Sequence, residues 1–223
     1  MKPRLMLSAL CVASIAMAGC ASKITQPDEY SGFLSDYSQL KEAKSPSGAD
    51  VMRWVDPKLD LSRYHAVFIE PTQFYPKPQA TAKIPDSTLN GINAYYNQAL
   101  KRELEKSLPL AKAPGPGVVV VRAAITAVSS KTEALKPYEY IPVALAVAAV
   151  STGAGIRDQE TTLGTEAQFL DGASGKVLAQ VVRKGTGKPL ANDAQVMKAD
   201  DVKSVIDGWA SDLHQSYVKL KRP

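Results

Sequence analysis

Two nearly continuous apolar runs flank a long helical pattern, and this order constrains the fold more than any other feature of the chain. The runs are YHAVFIEP, residues 64–71, and VVVVRAAITAV, residues 118–128, and both are typical of strands covered on two faces. Between them, apolar residues recur at steps of three or four from Leu89 to Leu108, which predicts a helix of about six turns. We expect this helix to begin at 85–87 and to end before Pro109. A strand, helix, strand order of this length predicts a parallel pair with a right-handed crossover.

The second half of the chain adds a hairpin and a final helix. TTLGTEAQFLD alternates, with Glu166 and Gln168 on the face opposite Leu163 and Phe169, and KVLAQVVRK returns as its hairpin partner after the turn GASG. One face of this hairpin is expected to be wet. The final helix begins near Asp200 and carries an apolar stripe, Val202, Val205, Ile206, Trp209, Leu213, Tyr217 and Leu220. The order β-α-β-β-β-α predicts an α+β domain: a mixed four-stranded sheet with two amphipathic helices packed on one face.

The N-terminus has the order of a signal peptide. Lys2 and Arg4 precede an uncharged run, residues 5–18, which is shorter than the roughly 20 apolar residues that a spanning helix needs. Polar chain follows from Lys23. We expect residues 1–19 to be a lipoprotein signal peptide and not a membrane span.

The stretch MAGCAS decides what Cys20 is. Ala18 and Gly19 are the small residues of a lipobox, in which the cysteine thiol receives a diacylglyceryl group, although Met17 replaces the usual Leu. A structural thiol is disfavoured, because Cys11 leaves with the signal peptide and Cys20 then has no disulfide partner. We expect Cys20 to be acylated; cleavage by an ordinary signal peptidase is the alternative.

The mature chain divides into a polar N-terminal segment and one domain. Residues 20–50 are predicted to be a lipidated tether and docking segment, because Tyr30, Phe33 and Tyr37 have no use in a pure spacer. Residues 51–223 are predicted to be a single α+β domain. Removal of Lys2 and Arg4 lowers the formal charge from +5 to +3, and this mild basic excess in an exported chain favours lipid head groups over nucleic acid.

Four stretches, YSGFLSDYSQL, WVDPKLDLSRYHAVFIEP, YEYIPVALAVAAVSTGAG and GKVLAQVVRKG, resemble an uncharacterised, domain-of-unknown-function family of proteobacterial lipoproteins. The similarity covers nearly all of the mature chain. The resemblance implies residence in the outer membrane and no catalytic activity. The resemblance also implies the sorting rule of Gram-negative lipoproteins, by which an aspartate directly after the lipidated cysteine retains the protein in the inner membrane. Because residue 21 is Ala21 and not aspartate, the rule implies the outer membrane.

The residues for catalysis or metal binding are few. The mature chain has two histidines, His65 and His214, with no metal-ligand spacing, and both are expected to be packing or surface residues. The glycine-rich stretches GTGKP and STGAGIRD lack the pattern of a phosphate loop and are expected to be turns. No metal and no cofactor are expected. A hydrolase that uses carboxylates alone, for example Glu70 with Glu166, is the least favoured function.

The segment Ile141 to Ile156 carries no charge and begins beside two tyrosines. It is too short to span a membrane alone. One interpretation is a buried helix or loop that closes the core, and the other is an exposed element that enters a bilayer or a partner subunit. The second interpretation makes an interface of Tyr138, Tyr140, Ile141, Val143, Leu145 and Val147.

The leading hypothesis for function is a non-enzymatic lipoprotein on the periplasmic face of the outer membrane. Its acyl chains would hold it to the membrane, and its domain would bind another envelope component, protein or glycan. The alternative is an oligomer-forming subunit of an envelope secretion or transport assembly, with the apolar segment after Tyr140 packed between protomers.

Overall fold

The computed structural model describes residues 24–132 and 159–221 of the chain. These residues form one mixed sheet with two long helices on one of its faces. The strands are β1 (Lys41–Lys44), β2 (Asp50–Val55), β3 (Ala66–Ile69), β4 (Gln73–Phe74), β5 (Val118–Thr132), β6 (Gln159–Asp171) and β7 (Val177–Thr186). The helices are α1 (Asp86–Leu104) and α2 (Lys203–Lys221). The predicted α+β class with two helices on a mixed sheet is confirmed.

The sheet runs in the order β1-β2-β7-β6-β5-β3, and β4 also pairs with β5. Strands β3 and β5 are parallel, with Ala66 opposite Val118, and α1 forms the connection between them. Strands β6 and β7 are an antiparallel hairpin, with Ala167 opposite Val181. The two central sequence predictions, the parallel pair and the hairpin, are therefore confirmed.

The predicted number of strands is wrong, because the sheet has seven strands within the described residues and not four. Strand β1 is four residues of alternating charge, and three of its side chains are exposed, as suits an edge. Strand β2 pairs with β1 on one side and β7 on the other, yet its sequence, DVMRWV, has no continuous apolar run. Strand β4 is only two residues long. The boundary predicted between residues 50 and 51 falls inside β2, after its first residue, Asp50, which is paired with Lys44 of β1.

The helices end and begin close to the predicted positions. Helix α1 begins at Asp86, and its last residue is Leu104, five residues before the proline that was expected to end it. Asp200 lies in a 3₁₀ turn, Ala199–Asp201, that precedes α2, which itself begins at Lys203. Both apolar stripes face the same side of the sheet and share one core, whose buried members include Ile92, Tyr96, Leu100, Ala123, Ile125, Leu163, Ala167, Ile206 and Trp209. We call this side of the sheet the helix face.

Trp209 is the centre of the contact between α2 and the sheet. Its ring lies edge-on to that of Tyr96 of α1, with 6.2 Å between the centroids, and only 6% of the residue is exposed. Gly185 of β7 allows α2 to approach, because a Cβ there would lie 2.6 Å from Cγ1 of Val205. The indole therefore packs against both the neighbouring helix and the strand below it.

Replacing Trp209 with alanine should lower the free energy of unfolding by about 3–5 kcal/mol, because the buried ring leaves a large cavity between α1, α2 and the sheet. Trp54→Ala is the matched control, since Trp54 lies partly exposed on β2 outside this core. Chemical denaturation of both variants, followed by circular dichroism, measures the difference. Equal losses would contradict the assigned role of Trp209.

Candidate functional site

The face of the sheet opposite the helices is covered by the chain that precedes β1. We call residues 24–40 the cover segment. Glu166 of β6 lies beneath it and is completely buried, and Gln168 is only 6% exposed. The expectation that one face of this hairpin is wet is therefore wrong. The alternation of polar and apolar residues along β6 correctly placed Glu166 on the face opposite Leu163. It did not indicate that the cover segment, which is distant in sequence, packs on that face.

The Glu166 carboxylate holds the cover segment by two short hydrogen bonds. The backbone N–H of Ser31 donates to Oε1 at 2.7 Å, and the Tyr37 hydroxyl donates to Oε2 at 2.6 Å. The same hydroxyl oxygen accepts the backbone N–H groups of Gly32, at 2.9 Å, and of Leu34, at 3.1 Å. Tyr37 thus folds the cover segment into a turn and fastens that turn to the central strand.

Tyr37 keeps its proton under ordinary conditions. Burial, followed by the hydrogen bond to the Glu166 carboxylate, raises the pKa of Tyr37 to about 12. The Tyr37 hydroxyl therefore remains a hydrogen-bond donor to Glu166 at any pH near neutrality.

An ion pair fastens the beginning of the cover segment. Nζ of Lys184 of β7 lies 3.0 Å from Oε2 of Glu29, and the two side chains are 10% and 7% exposed. The Glu29 carboxylate also accepts the backbone N–H of Gln26 at 2.6 Å, which closes the 3₁₀ turn Pro27–Glu29. Because the pair is largely desolvated, its loss would leave a buried charge.

Aromatic and aliphatic side chains complete the contact. The rings of Tyr30 and Tyr37 stack with centroids 4.5 Å apart, and Phe33 lies 5.7 Å from the ring of Tyr75. Leu34 is 3% exposed and packs in a cluster with Leu40 and with Val182 of β7. The three aromatic residues that the sequence singled out therefore lie against the sheet, in a segment packed for most of its length.

A second buried ion pair lies on the helix face. Nη2 of Arg183 of β7 donates to Oδ2 of Asp212 of α2 at 2.8 Å, and the side chains are 9% and 3% exposed. The backbone N–H and hydroxyl of Ser47, in the β1–β2 turn, donate to the same carboxylate at 2.8 and 2.9 Å. Burial alone would raise the pKa of Asp212, but the hydrogen bonds from Arg183 and Ser47 outweigh it and lower that pKa. The pair ties α2 to the strand β7 and to the β1–β2 turn.

The carboxylates considered for hydrolysis do not form a pair. Glu70 accepts a hydrogen bond from Nε of Arg122 at 2.9 Å, and 41% of its side chain is exposed. Glu166 is buried and binds the cover segment. Each carboxylate therefore has a separate structural partner.

His214 and the glycine-rich stretch GTGKP also have structural contacts, whereas His65 is exposed and lies immediately before β3. Nδ1 of His214 lies 2.6 Å from Oγ of Ser107, which joins α2 to the turn that follows α1. Gly187, in GTGKP, packs so closely on the 3₁₀ turn before α2 that a Cβ would lie 2.2 Å from the carbonyl oxygen of Asp201. Within residues 24–132 and 159–221, no three or more His, Cys, Asp or Glu side chains are grouped to hold a metal ion.

Several sequence-predicted residues fall outside the described part of the chain. They are Cys20 and the interface candidates Tyr138, Tyr140, Ile141, Val143, Leu145 and Val147. Acylation of Cys20 and the choice between core and interface for the apolar segment stay predictions. None of the helices in the described ranges is both long and apolar enough to cross a membrane.

Comparison with known proteins gives one family match over most of the chain. The family described as "Protein of unknown function (DUF3313)" matches residues 29–213. A relative in Escherichia coli (strain K12), named "Uncharacterized lipoprotein YdcL", is 42% identical over 215 residues, which cover 96% of this chain and 96% of the relative.

Two solved structures are similar at low identity. The PelC dodecamer from Paraburkholderia phytofirmans has 13% identity and a TM-score of 0.38, with 73% of this chain and 96% of that chain covered. Protein XCC0632 from Xanthomonas campestris has 13% identity and a TM-score of 0.40, with 75% and 91% covered. At these TM-scores neither likeness supports a conclusion about this chain.

Replacing Glu166 with glutamine should loosen the cover segment. Glutamine keeps one acceptor oxygen, but its NH₂ group would face either the Ser31 N–H or the Tyr37 O–H, which are both donors. One buried hydrogen bond is therefore lost, which should lower the free energy of unfolding by about 1–3 kcal/mol. Hydrogen exchange should accelerate in residues 24–40 more than in α1 or α2. Glu42→Gln on the exposed edge strand removes the same charge and is the control. Unchanged exchange in residues 24–40 would refute the assigned role of Glu166.

Replacing Asp212 with asparagine should lower the free energy of unfolding by about 3–5 kcal/mol, because Arg183 then stays buried without its counterion. Asp207→Asn on the same helix is the matched control. Its carboxylate pairs with Arg102 where both side chains are 43% exposed, and such surface pairs contribute about 0–1 kcal/mol. Urea unfolding of the two variants measures both values, and similar small losses would contradict the importance of the buried pair.

Proposed function

The chain belongs to the DUF3313 family of proteins of unknown function, and from this membership we propose that it is a lipid-anchored envelope protein that binds a partner at the membrane surface. In this proposal Cys20 carries the acyl chains and the domain lies on the periplasmic face of the outer membrane. The partner is another envelope component, protein or glycan. The protein performs no catalysis of its own.

The observation that carries the proposal is the packing of the cover segment. Thr25 is already 9% exposed, and Glu29 is fixed to Lys184. Thr25 lies five positions after Cys20, and five fully extended steps of the chain span at most about 18 Å. An acyl anchor at Cys20 would therefore hold the domain close to the bilayer, on a tether much shorter than residues 20–50. Its partner would have to be reached at the membrane surface.

The absence of catalysis in this proposal is supported by how the reactive side chains are used. Glu166 and Asp212 are buried in contacts that hold layers of the fold together, and His214 is bonded to Ser107. Each of these groups has a structural partner. Ser107 and His214 do place a hydroxyl beside an imidazole, but within the described residues no carboxylate is bonded to the second ring nitrogen of His214 to complete a catalytic triad. A binding role needs none of these groups to react.

Outer-membrane residence rests on Ala21 and on the lipoprotein name of the relative. Several acyl chains on one cysteine would bind the membrane far more firmly than the marginal attachment of a single chain. In a Gram-negative host, the residue after Cys20 then determines whether the lipoprotein stays in the inner membrane or is transferred to the outer membrane.

Acylation is tested by labelling cells with radioactive palmitate. Label should enter the wild-type protein and be absent from Cys20→Ser, because the thiol is the acceptor. Cys11→Ser is the matched control, since that cysteine lies in the segment predicted to be removed, and it should label like the wild type. Equal labelling of Cys20→Ser would refute the anchor.

Sorting is tested by separating inner and outer membranes on a density gradient. The wild type should be found in the outer membrane, and Ala21→Asp should move to the inner membrane. Ala21→Ser preserves a small neutral residue and should behave like the wild type. A wild type confined to the inner membrane would overturn the proposed location without affecting the anchor.

A further inference from the structure

A row of four side chains crosses the middle of the sheet on the face that the cover segment packs against. Gln168 is two residues after Glu166 and therefore lies on the same face. It is directly opposite Arg122 of β5 on one side and Gln180 of β7 on the other, and Gln180 is directly opposite Trp54 of β2. Opposite side chains on neighbouring strands project from one face, with their Cβ atoms about 4.5–5.5 Å apart. We call these four residues the glutamine row, which extends over roughly 14 Å across the strands.

The two glutamines at the centre of the row are almost completely buried and yet unpaired. Gln168 is 6% exposed and Gln180 is 4% exposed. Within residues 24–132 and 159–221, neither side-chain amide has a hydrogen-bond partner, although the two residues lie opposite each other. Buried polar groups in folded proteins are nearly always paired, so two neighbouring exceptions need an explanation.

These two amides remain open to solvent, unlike other unpaired polar groups of the fold. In the part of the chain that the structure describes, the enclosed and unpaired side-chain atoms are the hydroxyls of Thr25 and Tyr217 and Nε of Arg183. The amide atoms of Gln168 and Gln180 are not among these enclosed atoms. Each amide offers two N–H donors and one carbonyl acceptor to a molecule that reaches this face.

The ends of the row add a neutralised cation and two aromatic rings. Nε of Arg122 donates to Oε2 of Glu70 at 2.9 Å, and the two side chains are 39% and 41% exposed. The guanidinium group of Arg122 lies 5.9 Å from the centre of the Phe33 ring. At the other end of the row Trp54 is partly buried. The row therefore has no net charge, a polar centre and aromatic ends, which suits a neutral polar ligand that also has an apolar surface.

The direction of the row disfavours a peptide as the ligand. Peptides that bind to sheets typically add a strand at an edge, where backbone groups are unpaired. The row instead crosses β5, β6, β7 and β2, whose backbones are paired with one another. Only side chains are offered here, so the ligand must have donors and acceptors that match a side-chain amide. The acetamido group of an N-acetylated sugar has one N–H and one carbonyl in a plane and pairs with a glutamine amide through both.

We propose that the glutamine row binds a neutral, β-linked glycan of N-acetylated sugars, whose acetamido groups pair with the amides of Gln168 and Gln180. A β-linked chain is extended and follows a straight row of side chains. The C–H faces of its sugar rings lie against the rings of Trp54 and Phe33. This inference rests on the proposed binding role and names its ligand class, but it needs none of the residues of the acyl anchor.

The test uses the chain without its predicted signal peptide, residues 20–223, with Cys20→Ser so that the protein is studied without detergent. Calorimetry with chitotriose, a β-1,4-linked trimer of N-acetylglucosamine, should show saturable binding to one site. Cellotriose has the same linkage but carries hydroxyl groups in place of the acetamido groups. It should bind at least about fivefold more weakly, because the amide hydrogen bonds are lost. Absence of saturable chitotriose binding, or equal binding of cellotriose, would overturn the proposal.

Nuclear magnetic resonance identifies the residues that contact the glycan. The side-chain NH₂ signals of Gln168 and Gln180 should shift during titration with chitotriose. The signal of Gln79, which is exposed in the chain after β4, should not shift. Saturable binding that leaves both row signals unchanged would refute the site.

Two variants separate a binding role of the amides from a structural one. Gln168→Met and Gln180→Met keep the length of the side chain but remove the amide. Each should weaken chitotriose binding at least about fivefold. Neither should lower the melting temperature of the free protein, because neither amide has a partner among the described residues. Gln79→Met removes an exposed amide outside the row and should bind chitotriose like the wild type.

Two results with these variants would contradict the proposal. Undiminished chitotriose binding in both row variants would refute the assigned contacts. A lowered melting temperature in both would show that the amides stabilise the fold, and it would remove the reason to infer a ligand.

A capped trialanine peptide tests the alternative class of ligand. It should not displace chitotriose, and displacement would overturn the proposal in favour of a peptide site. Failure of the glycan to bind is distinguishable from failure of the anchor, because palmitate labelling at Cys20 involves no residue of the row.

Discussion

A carboxylate in the middle of a sheet, fully withdrawn from water, is the constraint on which the arrangement of the chain depends. Glu166 lies on β6, between β5 and β7, and its free energy is acceptable only if donors reach both oxygens. Those donors are Ser31 and Tyr37, more than one hundred residues earlier in the chain. The cover segment therefore has to cross the face of the sheet that the helices leave open, and the domain becomes three layers where the sequence indicated two.

Strand β7 holds these layers together through two consecutive residues. Successive side chains of a strand point to opposite faces, so Arg183 reaches Asp212 of α2 while Lys184 reaches Glu29 of the cover segment. Each ion pair is largely desolvated, and each fastens an element that is distant in sequence. A shift of one residue in the pairing of β7 would exchange the two faces and leave all four charges without partners, so these contacts also fix the register of the strand.

The sequence predicted those elements whose pattern is long and regular. The parallel pair β3 and β5, helix α1 and the β6–β7 hairpin follow from apolar runs and periodicity, and each is present. Strands β1 and β2 were missed because an edge strand of alternating charge and its mixed neighbour have no apolar run, and β4 is too short for any period. Alternation assigned Glu166 to the correct face but carries no information about what covers that face. The partners of Arg183 and Asp212, and the strand pairing that aligns the glutamine row, depend on tertiary packing, which no local pattern records.

The separation between Ser31 and Glu166, 135 residues along the chain, has a consequence for the order in which the layers would form during the proposed export. A chain that enters a translocation channel from its N-terminus delivers the cover segment first and strands β6 and β7 last. The early portion has nothing to pack on until the late strands emerge, and contacts between such distant residues form slowly. Residues 24–40 therefore gain their contacts with the sheet only after β6 and β7 are available. Completion of the sheet then closes the cover segment over it, so in the proposed lipoprotein the modification of Cys20 would precede folding of the domain.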